Sequence, residues 1–241
     1  MTRTLALFIA SLVVILLAAD PSRAASLRVA PVLLDLTAPS AATTLRVWND
    51  AKRPINVQVR VFRWTQRNGE DAFAATDAVV ASPPITTLVP GGENLIRIVR
   101  TSGRPVQAEE SYRLVVDELP DPARRPGGTV VLVVRHSIPV FFADPDASAA
   151  AASWAVERRG GGYVVTVRNT GAKRLRISNL TLGGSQPVAR RGGLVGYVLG
   201  NSTARWFVPA TGRGRLTGRS VTITAYGEAG RFDATARLKG G

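Results

Sequence analysis

Ile55-Asn56-Val57-Gln58-Val59-Arg60-Val61 alternates apolar and polar residues without a break. A period of two places Ile55, Val57, Val59 and Val61 on one side of an extended chain, the mark of a half-buried antiparallel strand. The same texture continues outward in both directions. Toward the N-terminus, Asn49-Asp50-Ala51-Lys52-Arg53-Pro54 has the composition of a turn, Thr43–Trp48 reads as a strand, and so does Leu27–Leu36, ended by Thr37-Ala38-Pro39-Ser40. Toward the C-terminus, Asp77–Val80, Glu93–Arg100, Ser111–Leu119 and Thr129–Phe142 extend the series, and no stretch before residue 145 sustains a 3.6-residue period.

Seven short strands separated by turn signals predict an immunoglobulin-type β-sandwich, without the Cys-Trp-Cys hallmark of antibody domains. Asp144-Pro145-Asp146-Ala147-Ser148, followed by four Ala, reads as a domain boundary, although an Ala run could equally open a short helix. Beyond Ser153 the strands resume at Tyr163–Arg168, Arg174–Leu180, Val195–Leu199, Ala204–Val208, Val221–Tyr226 and Asp233–Leu238, with denser Gly; Gly160-Gly161-Gly162 reads as a hairpin turn. The expected architecture is all-β: a signal peptide over 1–24, one sandwich over 25–145 and a second over 150–241.

The signal peptide rests on Arg3, the apolar run Leu5 to Ala19 and the small-x-Ala site Ser22-Arg23-Ala24. The remaining chain carries nothing near the roughly 20 apolar residues a membrane span needs. An exported chain without stable membrane insertion is therefore expected.

Composition excludes much chemistry. The 241 residues include no Cys and one His, with 31 Lys and Arg against 17 Asp and Glu. Thiolate catalysis, disulfides and His-rich metal centres are ruled out, and no cofactor or metal ligand set is recognisable. A catalytic triad would hang on His136 alone, which reads as a strand surface residue, and no paired carboxylates stand at a catalytic spacing. The chain reads as no enzyme. Of the 31 cations, 28 are Arg, a bias that fits base composition, and they lie scattered along strands rather than in the stripe a nucleic-acid binder presents. With aromatics at 6%, no nucleic-acid partner is expected.

One segment breaks the alternation. Thr129-Val130-Val131-Leu132-Val133-Val134 is continuously apolar within its strand. Such a strand is central and covered on both faces, or it lies at an edge and needs a partner.

Several short motifs occur in a telling order: Val29-Ala30-Pro31, Asn49-Asp50 with Pro54, Ser82-Pro83-Pro84-Ile85, Val89-Pro90-Gly91, Tyr112-Arg113-Leu114, Glu118-Leu119-Pro120 and Ser137-Ile138-Pro139-Val140-Phe141. Tyr197-Val198-Leu199, Ser202-Thr203, Arg205-Trp206 and Tyr226-Gly227 follow in the second half. In this order the sequence resembles the periplasmic pilus-assembly chaperones of chaperone–usher systems, in the branch serving archaic or spore-coat-U-like fimbriae. The resemblance implies two immunoglobulin-like domains in a boomerang arrangement and a periplasmic location. It also implies donor-strand complementation, in which the seventh strand fills the open groove of a pilin or coat subunit until an outer-membrane usher takes that subunit over. Val130, Leu132 and Val134 would then enter the subunit, while Val131 and Val133 stay in the chain's own core.

Other roles follow from the resemblance alone. The family's two basic anchors for the subunit's C-terminal carboxylate fall near Leu33 and Pro139, so Arg113 is the replacement candidate, with Arg28 and Arg135 behind it. Pro83, Pro84 and Ile85 match a usher-facing segment. Arg97 and Glu110 match two members of an interdomain ion network, whose third, an Asp, is replaced by Ala225. A homodimer through the free donor strand is a further option, and a cell-surface Ig-like adhesin or structural module without a client is the alternative reading.

Overall fold

The computed structural model describes residues 27–120, 132–212 and 214–239, and every regular element among them is a strand. The first half contributes β1 (Leu27–Ala30), β2 (Leu34–Thr37), β3 (Ala42–Asn49), β4 (Ile55–Arg67), β5 (Glu70–Ala75), β6 (Val79–Ser82), β7 (Ile85–Leu88), β8 (Glu93–Arg100), β9 (Glu109–Leu119) and β10 (Arg135–Ala143). They form two sheets, β1-β3-β8-β6 and β2-β10-β9-β4-β5, with β7 also paired to β4. Between the sheets, Leu45, Val47, Ile96 and Ile98 meet Val57, Val59, Leu114, Val116, Val140 and Phe142, all fully or nearly fully buried. The alternation of Ile55–Val61 is thus read out as expected, with the valines inside.

The first expected strand is in fact two. Leu27–Leu36 breaks at Pro31-Val32-Leu33, where β1 leaves its antiparallel partner β3 and β2 starts a parallel pairing with β10 in the other sheet. Pro31 has no N–H to offer a ladder, so the chain changes sheets there. Pro83-Pro84 makes the same transfer between β6 and β7.

The second half forms β11 (Ala152–Arg159), β12 (Gly162–Asn169), β13 (Leu175–Leu182), β14 (Ala189–Val198), β15 (Thr203–Pro209), β16 (Ser220–Gly227) and β17 (Gly230–Lys239). The Ala run starts no helix, since Ala152 already opens β11. The ladder order is β14-β13-β16-β17-β11-β12-β15, and a bridge between Ala189 and Ala210 brings its two ends together. The sheet therefore closes over one core containing Val156, Val165, Val167, Ile177, Leu180, Leu182 and Ile223. Gly196 (φ 154°) lets β14 pass Trp206, whose Nε1 would lie 2.8 Å from a Cβ there.

Both sandwiches use the same buried asparagine. Asn49 donates from Nδ2 to the carbonyls of Arg53 (2.7 Å) and Leu88 (3.0 Å) and accepts the Ala51 N–H (2.9 Å). Asn169 donates to Lys173 (2.8 Å) and Leu199 (3.1 Å) and accepts the Gly171 N–H (3.0 Å). Each side chain satisfies backbone groups of a turn that would otherwise be buried unpaired.

Candidate functional site: an open strand edge and an interdomain cleft

The candidate site lies on β10 and the residues just before it. Ile138, Val140 and Phe142 face the first core, and Val134 continues that face, packed against the same core but only half-buried. The Val134 carbonyl accepts the Glu118 N–H at 2.9 Å, so pairing with β9 runs one step past the strand. Two residues further on, Leu132 is 87% exposed. The covering sheet ends before the apolar face does. Val133, on the other face, is 46% exposed and lies beside a groove shared with Arg60, Asp117 and Arg135.

This reverses the expected division of faces. Val134 belongs to the chain's own core side, and Val133 is open rather than buried. Strand parity explains it, because the even positions from Val134 to Phe142 all point inward. Leu132 shares that parity but has nothing above it. Val130 lies outside the described residues.

The other face of the same strands builds the contact between the domains. Phe141, Trp64 and Leu33 from the first sandwich meet Tyr197 and Leu199 from the second. Trp64 lies 5.8 Å from Phe141 and 5.6 Å, edge-on, from Tyr197. Such pairs contribute roughly 0.5–1.5 kcal/mol beyond burial. Gln66 ties the domains by donating to the Tyr197 carbonyl (2.7 Å) and accepting the Leu199 N–H (3.0 Å). The turn after β4 adds a further bond, from the Arg205 N–H to the Gly69 carbonyl at 2.9 Å.

Arg113 packs against this contact. Its cross-strand neighbour is the buried Pro139, and its guanidinium stacks 3.9 Å from the Trp64 ring centre. Its Nε is buried without a hydrogen-bond partner, and burial lowers its pKa from the usual value against the pull of Asp71. The residue as a whole is half-buried, which leaves its remaining donors able to receive an anion.

Arg174 fills the neighbouring position and was not anticipated. Its side chain is 5% exposed, stacks 3.8 Å from the Phe141 ring centre and bonds Asp35 (2.6 Å), Glu109 (2.5 Å) and Glu228 (2.8 Å). Burial opposes its charge, but the Asp35 bonds and the fields of Glu109, Asp35 and Glu228 outweigh it and raise its pKa. Burial pushes Glu109 up against the attraction of Arg174. Sequence order gives no hint of this cluster, whose members lie up to 193 positions apart. The one legible signal was Phe141-Phe142, two large rings pointing to opposite faces of one strand.

The expected Arg97–Glu110 pair is not made. Arg97 sits on the exposed face of β8, in the other sheet from β9. Glu110 is instead held by Arg100 (2.8 and 2.9 Å), which shares the inward parity of Ile96 and Ile98. The Arg100 bonds hold Glu110 below the usual carboxylate range, while burial and the Glu110 bond push Tyr112 up to about 12. The pair lies within the first sandwich. Arg28 is exposed, pairs with Asp50 at 3.3 Å and stacks on Trp48, all in the other sheet from Arg113. Arg135 bonds Asp117, which Arg60 also reaches at 2.7 Å. Of the three anchor candidates, Arg113 is the one that makes no salt bridge among the described residues, with Asp71 acting on it only at longer range. Pro83 and Pro84 form the crossing between sheets, and Ile85 beyond them is 56% exposed. His136 is half-buried, its Nε2 3.0 Å from the Leu27 carbonyl.

The model of a family described as pili and flagellar-assembly chaperone, PapD N-terminal domain, matches residues 26–148. Among solved structures, the chain resembles the CsuC–CsuE chaperone–tip adhesion subunit pre-assembly complex from the archaic chaperone-usher Csu pili of Acinetobacter baumannii. That match has 24% identity and a TM-score of 0.68, covering 90% of this chain and 100% of that one. The E. coli chaperone DraB matches at 23% identity and a TM-score of 0.58, covering 90% and 98%. The SafB chaperone complex with SafA pilin of Salmonella enterica matches at 19% and 0.60, covering 89% and 98%. No curated protein sequence matches. At these identities the structural likeness carries the fold, two immunoglobulin-like domains. The family match spans just over half of the sequence and carries membership: the chain belongs to the pili and flagellar-assembly chaperones.

Proposed function

We propose that this chaperone holds an exported, incomplete β-sandwich subunit of the pilin or spore-coat-U-like kind by lending it the edge around Leu132. The observation that carries the reading is an apolar strand face that is core from Ile138 to Phe142, half-covered at Val134 and bare at Leu132. Backbone pairing along an added strand supplies affinity, and side chains entering the subunit supply fit. Val130, next on the same alternation, would extend the inserted row. Arg113 would take the subunit's C-terminal carboxylate and so set register. The same reading places the chain in the periplasm and assigns Pro83, Pro84 and Ile85 to an outer-membrane usher. It also makes a dimer through the bare edge a competing state of the free protein.

Hydrogen–deuterium exchange tests it. The amides of residues 132–134 are expected to exchange fast in the free protein and slowly once a subunit is bound. Unchanged exchange there in a complex that does form would overturn strand addition.

A further inference from the structure

The net charge of the chain is almost entirely on one domain. Residues 27–149 hold 14 Lys and Arg against 13 Asp and Glu, a net +1, whereas residues 150–241 hold 15 against 3, a net +12. Base composition can exchange Lys for Arg, but it does not strip acids from one half of a chain and leave them in the other. The three acids of the second half are moreover engaged, Glu157 with Arg159, Glu228 with Arg174 and Asp233 with Arg231.

The topology concentrates the cations at one end. Ala152 pairs with Asn169, and Gly227 with Gly230, at the end that meets the first domain through Arg174 and Glu228. At the opposite end Arg158 pairs with Tyr163, Ser220 with Arg237, and Glu157 with Lys239. Arg158, Arg159, Arg215, Arg219, Arg237 and Lys239 are all exposed there, with Glu157 as the acid among them. An open cleft of about 510 Å³ lies at this pole, walled by Arg158, Arg159 and Arg215 over the backbone of Gly160-Gly161-Gly162.

We infer that the distal pole of the second domain docks on an anionic membrane surface through phosphate-bearing lipid headgroups. Guanidinium groups bind phosphate bidentately, and the open space beside Gly160 and Gly161 lets a headgroup approach the backbone there. An extended basic pole suits a planar array of charges better than a single small anion. The contact is peripheral, because the pole offers charge and no apolar segment long enough to insert. It leaves the Leu132 edge and the interdomain contact, on the other domain and at the other end, free to work.

The test is co-sedimentation of the full chain, processed as the cell delivers it, with vesicles of neutral phosphatidylcholine alone or with one-third phosphatidylglycerol. Binding to the anionic vesicles only is expected, falling with salt. Each basic residue near such a surface contributes about fivefold in affinity, so the Arg158→Gln, Arg159→Gln, Arg215→Gln variant should bind about a hundredfold more weakly. A control of equal charge at the near end, Arg168→Gln, Arg205→Gln, Arg231→Gln, should lose only a few-fold. Equal loss in both variants would overturn the pole as the site. Binding of inorganic phosphate without vesicle binding would overturn the membrane as partner. So would absent vesicle binding with the distal variant impaired only in subunit capture.

Discussion

Arg113 stands directly across the β9–β10 ladder from Pro139, with its guanidinium on the face of Trp64 and its Nε unfilled. On the proposed reading, Arg113 would supply from the next strand the cation that Pro139 cannot carry. Arg113→Leu keeps the packing on Trp64 and removes the donors. A charge-assisted hydrogen bond contributes roughly 1.5–3 kcal/mol, so subunit affinity should fall about 10- to 150-fold with the melting temperature held or raised. Titration calorimetry with a purified subunit measures it, and wild-type affinity would remove Arg113 from the anchor role.

Leu132 and Ile138 share a strand face but not an environment. Ile138→Ala should destabilise the free protein by about 2–5 kcal/mol, because it opens a cavity in a filled core. Leu132→Asp should leave stability within about 0.5 kcal/mol, as surface changes do. Chemical denaturation of the two variants side by side checks this. Unfolding by Leu132→Asp would mean that the edge is covered in the free protein.

Arg174→Met should uncouple the domains. It leaves Glu109 buried without its partner, a loss of roughly 3–5 kcal/mol for a broken buried pair. Calorimetry should show one transition for wild type and two for the variant, and small-angle scattering should show a wider distribution of domain angles for the variant. Coincident transitions in the variant would assign the coupling to the Trp64–Phe141–Tyr197 cluster alone.

The pH dependence has a definite sign. Glu110 and Asp117 have folded pKa values below their usual range, the first through the Arg100 bonds and the second through Arg135 and Arg60 overcoming burial. Their contribution is complete above the unfolded carboxylate pKa, about 4, and is lost as the pH falls through the folded values. Glu109, pushed up, works the other way and favours the folded state when protonated. Stability should therefore drop as the pH falls below about 4, and Arg100→Gln should flatten that drop. A wild-type profile flat over this range would show that these pairs do not stabilise the fold.

Ile85→Asp tests delivery apart from capture. The side chain is exposed on a strand whose ladder to β4 is backbone-borne, so fold and subunit affinity should be unchanged. Binary complexes should accumulate in the envelope while surface fibres or coat decline. Normal assembly would detach this segment from the usher.

Strand alternation made the all-β character legible, because Ile55–Val61 and its neighbours bury one side of each strand. It could not show that Leu27–Leu36 divides between sheets, since a Pro at a strand edge and a Pro at a crossing look alike in sequence. The apolar run at Val130–Val134 was legible as a strand with an unmet need. Its face assignment was not, because a run apolar on both sides carries no phase of its own, and only the inward register of Ile138 and Phe142 supplies it. The Arg174 cluster was invisible for a different reason: it joins Asp35, Glu109 and Glu228 across two domains, and no local pattern marks charges that meet only after folding.

The central claim is capture through the bare edge. Native mass spectrometry of a C-terminally tagged chain, recovered from the periplasm of cells expressing the subunit, tests it beside the Leu132→Asp variant. The account predicts a one-to-one complex with a small β-rich protein for wild type and a free chain for the variant. A wild-type chain recovered only alone or as a homodimer, or a variant that still holds its subunit, would contradict it.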